Sequence, residues 1–277
     1  MFPVFPGGIP RAQRARGVVW ILPRNRCHNR HVYRELAPPP DLAQSVACVW
    51  TSVSRGGVIL PDGCVDLVWR GDGLIVAGPA TGAIESPVPL GTTVFGVRFR
   101  LGVAGAALGV PAVEFADLSV DAEAVLGPGA TDRVAEGGMP ALLALVRARL
   151  CPVDPLDRAA ALAMARPETR VAELGAALGV SERQLRRRFL DAVGYGPKTL
   201  ARVLRFQRFL ELSGEHADLA RLAFDAGYAD QAHLTREARR LSGRTPSELV
   251  ASGAGPAGER VRSVQAVGAP GAYRPAG

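Results

Sequence analysis

Six polar side chains fall at comparable places in two segments of the chain, residues 171–190 and 219–238. They carry guanidinium, amide or hydroxyl groups and are Arg183, Arg186, Arg187, Gln231, Thr235 and Arg236. Arginine can donate two hydrogen bonds to the O6 and N7 atoms of guanine, and glutamine and threonine can bond other base edges. The chemistry that these groups predict is the recognition of base edges, provided that the fold holds them on an outer surface.

Both segments are copies of one pattern. Leu185 corresponds to Leu234, and Pro197 corresponds to Pro246, each at an offset of 49 positions. Repeats of this length are typical of duplicated supersecondary units. We therefore expect two similar structural units to position the six side chains.

Each copy predicts a helix, a turn and a second helix. In the first copy, apolar residues recur at helical spacing from Val171, and Gly179 is expected to end that helix because glycine accepts the left-handed conformation. Ser181, with Gln184 three residues later, forms a capping-box pattern that opens the second helix. The corresponding caps and helix end of the second copy are Asp218, Gly227 and Asp230.

The second helix of each copy is predicted to be amphipathic. Leu185 and Phe189 lie four residues apart and stack on one side, while Arg187 lies on the opposite side. Leu234 and Arg236 have the same relation in the second copy. Arginines on one isolated helix usually form a solvated face. Two such helices, each after a glycine turn, favour a helix-turn-helix, whose second helix enters the major groove of DNA.

The segment G-Y-A-D-Q-A-H-L-T-R-E-A-R-R-L-S-G-R-T-P-S-E-L, residues 227–249, resembles the C-terminal signature of the AraC/XylS transcriptional regulators. The upstream copy resembles the first helix-turn-helix of the same domain, and the likeness covers residues 155–251. The resemblance implies a sequence-specific DNA-binding transcriptional regulator. Its two recognition helices, joined by a long helix at about residues 197–212, would lie in successive major grooves.

Carried over by position, the resemblance implies that the six side chains named above read bases. Four further arginines are expected to contact DNA phosphates, namely Arg202, Arg205, Arg239 and Arg240. A solvated face is the alternative for the two arginines of the connecting helix.

Ala238 departs from the family pattern, which has phenylalanine at that place. An aromatic side chain missing from such a core costs about 3–5 kcal/mol unless neighbours fill the space. Phe224 and Tyr228 are the candidates to fill it.

The charge of the 277-residue chain is unevenly spread. Residues 36–156 have seven Lys and Arg against twelve Asp and Glu, whereas residues 157–250 have sixteen against twelve. An acidic middle beside a basic end is expected for a sensor joined to a DNA-binding domain. The predicted fold is an α+β N-terminal domain, strand-rich with late helices, at residues 36–150. An all-α DNA-binding domain of two helix-turn-helix units follows at residues 155–251.

Strands are predicted at residues 46–53, 65–69, 74–77 and 92–100, and helices at 103–108, 122–126 and 140–150. The last helix has a broad apolar stripe, which would complete the domain core or pair with a second copy. The phrases I-L-P-D-G-C-V-D-L-V-W and F-G-V-R-F-R resemble the N-terminal domain of a subset of the same regulators, a domain without an assigned function.

Four polar or aromatic residues at the predicted strand ends are candidates to line an effector pocket: Asp62, Asp66, Trp69 and Arg98. The structural alternative is a turn at Asp62, a capping or solvated Asp66 and a core Trp69. By analogy with the family, the whole domain is expected to sense a small molecule or to dimerise.

Both ends of the chain are expected to lie outside the two domains. Residues 1–35 are basic and lack apolar periodicity, which predicts a disordered tail or a mis-assigned start, with Val32 as the alternative start. Residues 252–277 are rich in Gly, Ala, Pro and Ser and are expected to be a disordered tail. The Cys/His cluster of Cys27, His28 and His31 is interpreted as a chance grouping, so no metal site is predicted.

No Ser/His/Asp constellation, phosphate-binding glycine loop or metal motif stands out, so neither enzyme activity nor a cofactor is expected. The alternatives to an effector-controlled regulator are an effector-independent DNA-binding dimer and a DNA-modifying enzyme fused to the same domain. The expected partners are double-stranded DNA, a small-molecule effector, a second copy of the chain and, for an activator, RNA polymerase. No apolar run reaches the roughly 18 residues of a membrane helix, so a cytoplasmic protein without a membrane partner is expected.

Overall fold

A computed structural model describes residues 33–166, 169–213 and 218–252. A strand-rich part is followed by a helical part, which confirms the predicted fold class. The predictions for residues 1–32 and 253–277, including the cluster of Cys27, His28 and His31, lie outside the described residues.

Six strands of the N-terminal domain form one antiparallel sheet in the order β1-β2-β7-β4-β5-β8, and β3 pairs separately with β6. The strands are β1 (Tyr33–Leu36), β2 (Val46–Val53), β3 (Val58–Ile59), β4 (Asp66–Trp69), β5 (Leu74–Ala77), β6 (Ile84–Glu85), β7 (Thr93–Phe99) and β8 (Ser119–Asp121). The four predicted strands correspond to β2, β4, β5 and β7 and are confirmed to within one residue at each end.

Strand β1 begins inside the segment that was expected to be a disordered tail. Tyr33 pairs with Ser52 and Leu36 pairs with Val49 of β2. Residues Tyr33–Leu36 therefore belong to the sheet, and the boundary expected at residue 36 cuts through a strand. The strand was missed because four residues, two of them charged, give too short a pattern for an alternation to stand out.

The two faces of the sheet differ in character. On one face, Val49, Val97, Leu67, Val76 and Val120 lie side by side across five strands, and all are buried. Burying one such side chain is worth about 1.5–3 kcal/mol, so this row makes the sheet face the base of a hydrophobic core. Three helices supply residues to that core: α1 (Ala104–Leu108), α2 (Glu123–Leu126) and α3 (Ala130–Arg149).

Helix α3 is longer than predicted and is kinked at Gly138, whose φ of 58° is not helical. Its second half carries the predicted apolar stripe, which either completes the domain core or pairs with a second copy of the chain. Leu142 and Val146 of this stripe are buried in the core of their own domain. The stripe therefore completes the domain core.

In the described residues of the C-terminal part, seven helices surround a second hydrophobic core. They are α4 (Pro155–Ala163), α5 (Val171–Ala177), α6 (Glu182–Val193), α7 (Pro197–Leu212), α8 (Leu219–Asp225), α9 (Gln231–Ser242) and α10 (Pro246–Ala251). The long connecting helix α7 is confirmed, and its Val203, Phe206 and Phe209 are fully buried. Among the described helices, none has the length and apolar character needed to cross a membrane.

One of the two aromatic residues near Ala238 in the sequence is buried in the same core. Tyr228 is 3% exposed and lies in the same core cluster as the fully buried Ala238. Phe224, the other candidate, is 76% exposed and does not enter the core. The second helix-turn-helix thus keeps an aromatic ring in its core, supplied by the turn rather than by the recognition helix.

Candidate nucleic-acid interface

Local signals build the first helix-turn-helix as the sequence predicts. Gly179 follows α5 with a φ of 66°, the left-handed conformation that glycine adopts without strain. The Ser181 side chain accepts from the backbone N–H of Gln184, and the Gln184 side chain accepts from the N–H of Ser181. This reciprocal pair satisfies two backbone donors that a helix start leaves free, and it fixes where α6 begins.

Helix α6 has one buried side and one exposed side. Leu185 and Phe189 are 0% and 2% exposed and lie in the core. Arg183, Arg186 and Arg187 are all exposed to solvent. The three candidate base-reading side chains of the first unit therefore share the outer surface of the predicted recognition helix.

The second unit has the same construction with different caps. Asp218 accepts from the N–H of Ala220 at the start of α8, and Asp230 accepts from the N–H of His233 at the start of α9. Gly227, between them, has a φ of 88°. Leu234 and Leu241 hold the inner side of α9 in the core.

The outer side of α9 carries the other three candidates. Gln231 and Arg236 are exposed, and Thr235 is partly exposed, with its hydroxyl donating to the carbonyl oxygen of Gln231. Together with Ala232 these residues line an open surface depression. Polar groups around a shallow hollow on a helix offer both hydrogen bonds and room for a base edge.

The four arginines assigned to DNA phosphates divide into two pairs. Arg239 and Arg240 are exposed near the end of α9. Arg202 forms an ion pair with Glu237 of α9, and the Arg205 guanidinium lies over the ring of Tyr228. The exposed side chains of the first pair can reach a phosphate. The side chains of the second pair instead contact residues of the second helix-turn-helix unit.

Comparison with known families identifies two domains in the chain. Residues 174–252 match a family described as a helix-turn-helix domain, and residues 34–121 match a domain of unknown function, DUF6597. The chain carries an AraC-type helix-turn-helix domain. Domains of this type belong to DNA-binding transcription regulators, and the resemblance inferred from the sequence is confirmed.

Solved structures of low similarity include ToxT from Vibrio cholerae O395, with 11% identity and a TM-score of 0.40 over 75% of this chain and 96% of that one. Another is unsaturated fatty acid bound wild-type ToxT from Vibrio cholerae strain SCE256, with 9% identity and a TM-score of 0.40 over 81% and 97% of the two chains. No curated protein matches the chain.

On the N-terminal side of the AraC-type domain, three of the four candidate effector residues come together on the second face of the sheet. Arg98 donates to both carboxylate oxygens of Asp66, with distances of 3.0 Å from Nε and 2.9 Å from Nη2. Asp62 lies 3.5 Å and Glu35 lies 3.8 Å from the same guanidinium. Burial opposes the charge on Arg98, but the nearby carboxylates outweigh it and hold its pKa above the ordinary value.

Trp69 is not part of this cluster. It follows Asp66 by three residues in β4, and an odd offset places two side chains on opposite faces of a strand. The Trp69 ring stacks on Phe95, with centroids 6.3 Å apart, and packs against the core of the N-terminal domain. Trp69 therefore does not share a sheet face with Asp66 and Arg98, and only Asp62, Asp66 and Arg98 of the four candidates come together. Trp69 instead packs against the core, which is the alternative role predicted from the sequence.

The AraC-type domain packs closely against the N-terminal domain. Helix α6 touches α1 and the short 3-10 helix Ala112–Phe115. A Cβ atom added to Gly194, at the end of α6, would lie 2.9 Å from the carbonyl oxygen of Ala112. The contact surface between the two domains is called the interdomain seam. Gln207 of α7 donates to the carbonyl oxygen of Pro61 over 2.7 Å, and this hydrogen bond is buried. The loop of residues 61–64 therefore joins the Arg98 cluster to the connecting helix.

Arg188 holds α6 against α4, a role that the sequence analysis did not single out. It follows Arg187 directly but turns inward from the recognition face, where it pairs with Asp154 and, over 2.7 Å, with Asp157 of α4. The N–H of Leu156 and the Arg188 guanidinium hold the pKa of Asp154 below its usual value. The inward direction of Arg188 could have been predicted from the 3.6-residue helical period, since each residue is rotated by about 100° from the one before it.

Among the described residues, no group of three or more His, Cys, Asp or Glu side chains is arranged to hold a metal ion.

Proposed function

We propose that the chain regulates transcription by binding specific DNA sequences with α6 and α9. The observation that carries the proposal is the exposure of five polar side chains, with Thr235 partly exposed, on the outer sides of two recognition helices that share one core. The six base-reading candidates are Arg183, Arg186, Arg187, Gln231, Thr235 and Arg236. With arginine as the main donor, a preference for guanine is expected at several operator positions.

Arg239 and Arg240 contact phosphates in this proposal. Such contacts release counterions, so affinity falls steeply as salt rises. The acidic N-terminal domain does not contact DNA in this proposal. It changes the position of the recognition helices through the contact between the two domains. This arrangement agrees with the excess of Asp and Glu over Lys and Arg in residues 36–156.

Control by an effector is the finer part of the proposal. A small molecule that alters the ion pairs of Asp62 and Arg98 would displace the loop of residues 61–64, and Pro61 of that loop is bonded to Gln207 of α7. Thermal-shift screening of the full chain against metabolites tests this step. A hit that also changes DNA affinity supports an effector-controlled regulator, whereas a flat response to a broad library favours the effector-independent DNA-binding dimer.

The central test is selection of binding sites from random duplexes, first with the parent chain and then with Arg187→Ala. Loss of one good bidentate pair costs about 1–3 kcal/mol and relaxes the preference at one base position. Arg133→Ala is the matched control, because Arg133 is an exposed arginine on α3 of the N-terminal domain. Its selected sequences should equal those of the parent chain.

Two results would count against the proposal. No enriched sequence at moderate salt would remove specific DNA recognition altogether. An enriched sequence that is unchanged in Arg187→Ala would remove Arg187 from the reading surface while leaving the general function in place. The symmetry of the selected sites also reports whether one chain or two occupy an operator.

A further inference from the structure

An acidic residue lies on the second recognition helix, next to a candidate base-reading arginine. Glu237 follows Arg236 on α9, and its carboxylate Oε2 lies 2.7 Å from Nε of Arg202 on α7. The side chain of Glu237 is 15% exposed, and that of Arg202 is 28% exposed. The ion pair is thus partly removed from solvent, where screening is weaker than on an open surface.

A second contact between the same elements lies close by. The Arg205 guanidinium carbon is 5.5 Å from the centre of the Tyr228 ring, and His233 meets that ring edge-on with 5.3 Å between centroids. Tyr228 is in the turn before α9, and His233 is in its first turn. Helix α7 therefore holds α9 through a charge pair on one side and a cation–π stack at its start.

The two recognition helices differ in what supports them. Helix α6 packs on the N-terminal domain through α1 and the 3-10 helix Ala112–Phe115, and also on α4, α5 and α7. Helix α9 packs on α7, α8 and α10. The angle between the two reading surfaces therefore depends on how firmly α7 holds α9.

We propose that Arg202 and Glu237 are a positioning pair that fixes the second recognition helix on α7. Arg202 acts through Glu237 and does not serve as a phosphate contact, in contrast to the role expected from the sequence. This inference rests on the proposed DNA-binding function and adds a mechanism for the spacing of its two reading surfaces.

The two roles of Arg202 predict opposite effects of Glu237→Gln. If Arg202 binds phosphate, removing a neighbouring negative charge frees the arginine and strengthens attraction to DNA. If the pair positions α9, the same substitution loosens the helix and weakens binding. The sign of the change in affinity separates the two roles without any assumption about its size.

The experiment measures dissociation constants of Arg202→Gln, Glu237→Gln and the double variant on the selected operator at several salt concentrations. A positioning pair predicts that each single variant binds about fivefold more weakly and that the double variant is hardly weaker than either, because the two residues share one interaction. The slope of log affinity against log salt stays at the parent value in Arg202→Gln, whereas loss of a phosphate contact lowers it by about 1.

Arg208→Gln is the matched control, since Arg208 lies on the same helix with an exposed side chain. Its operator discrimination should equal that of the parent. The loss in the pair variants should fall on the half of the operator that α9 reads, with discrimination in the other half unchanged. Tighter binding by Glu237→Gln, or a slope lowered by about 1 in Arg202→Gln, would overturn the proposal.

Hydrogen exchange of the free protein tests the pair without DNA. Both single variants should exchange faster along α9 than the parent, with α6 unchanged. Equal protection of α9 in parent and variants would reject the positioning role even if the chain binds no specific DNA. Failure of the proposed function, seen as an absence of sequence selection by the parent chain, is therefore distinguishable from failure of this inference.

Discussion

Gly105 of α1 and Asp191 of α6 meet backbone to backbone across the interdomain seam. A Cβ atom built on Gly105 would lie 2.0 Å from the carbonyl oxygen of Asp191. Such a distance is far inside van der Waals contact, so no side chain fits there unless the domains move apart. The close packing of the first recognition helix on the N-terminal domain therefore requires glycine at position 105.

Gly105→Ala should destabilise the protein by about 1–3 kcal/mol, the usual cost of overpacking, although alanine favours a helix more than glycine does. Urea unfolding followed by circular dichroism measures the difference. Gly82→Ala is the control, because a Cβ there has no atom within 4 Å. A Gly105→Ala protein as stable as the parent would show that the seam yields easily.

The buried ring of Tyr228 and the exposed ring of Phe224 make a matched pair on one unit. Tyr228→Ala should cost about 3–5 kcal/mol of unfolding free energy, because it opens a cavity in the core of the C-terminal domain. Phe224→Ala should change stability by less than about 0.5 kcal/mol, since the side chain is largely in water. Thermal or urea unfolding measures both. A large loss in Phe224→Ala would mean that this ring has a packing role in solution.

The helix-turn-helix units could be predicted closely because their signals are local. A capping residue such as Ser181 acts within three positions, and a glycine such as Gly179 is needed wherever a turn takes a positive φ. Neither signal depends on distant parts of the chain. The outward placement of Arg187 followed from the helical period alone.

The Arg98 cluster could be predicted only in part. Asp66 and Arg98 were chosen by residue type, but their pairing required β4 and β7 to be neighbours, and strand order is not written in a local pattern. Glu35 came from β1, a strand too short to detect. The separation of Trp69 from Asp66 was predictable, since an offset of three in a strand places side chains on opposite faces.

The ion pair of Arg202 and Glu237 shows a second limit. The residues are on different helices, and their meeting depends on how α7 and α9 cross. Helix-crossing geometry arises from the whole contact surface, so the sequence assigned Arg202 to solvent or phosphate and left Glu237 without a role.

The cysteines should differ in reactivity. Burial raises the pKa of the Cys48 thiol to about 12 and raises that of Cys64 as well. Both are almost entirely protonated at pH 8, and both are shielded from reagents. Cys151 is exposed. Among these three cysteines of the described residues, iodoacetamide labelling at pH 8, mapped by peptide mass spectrometry, should modify Cys151 first. Labelling of Cys48 and Cys64 should require denaturant, and rapid modification of Cys48 in the native protein would contradict the buried placement.

The hydrogen bond from Gln207 to Pro61 gives the last prediction. Gln207 is 7% exposed, and Gln207→Leu keeps its approximate size while removing the donor to the Pro61 carbonyl oxygen. A buried acceptor that loses its donor costs about 1–3 kcal/mol, so unfolding should occur at lower urea concentration. Because the loop of residues 61–64 also holds Asp62 against Arg98, hydrogen exchange should rise in that loop as well as in α7.

Arg208→Leu, one residue further along α7 and exposed, should leave both the unfolding midpoint and the exchange rates unchanged. Faster exchange in α7 without any change in the loop would show that the two are not coupled, and the effector route through Pro61 would then be wrong.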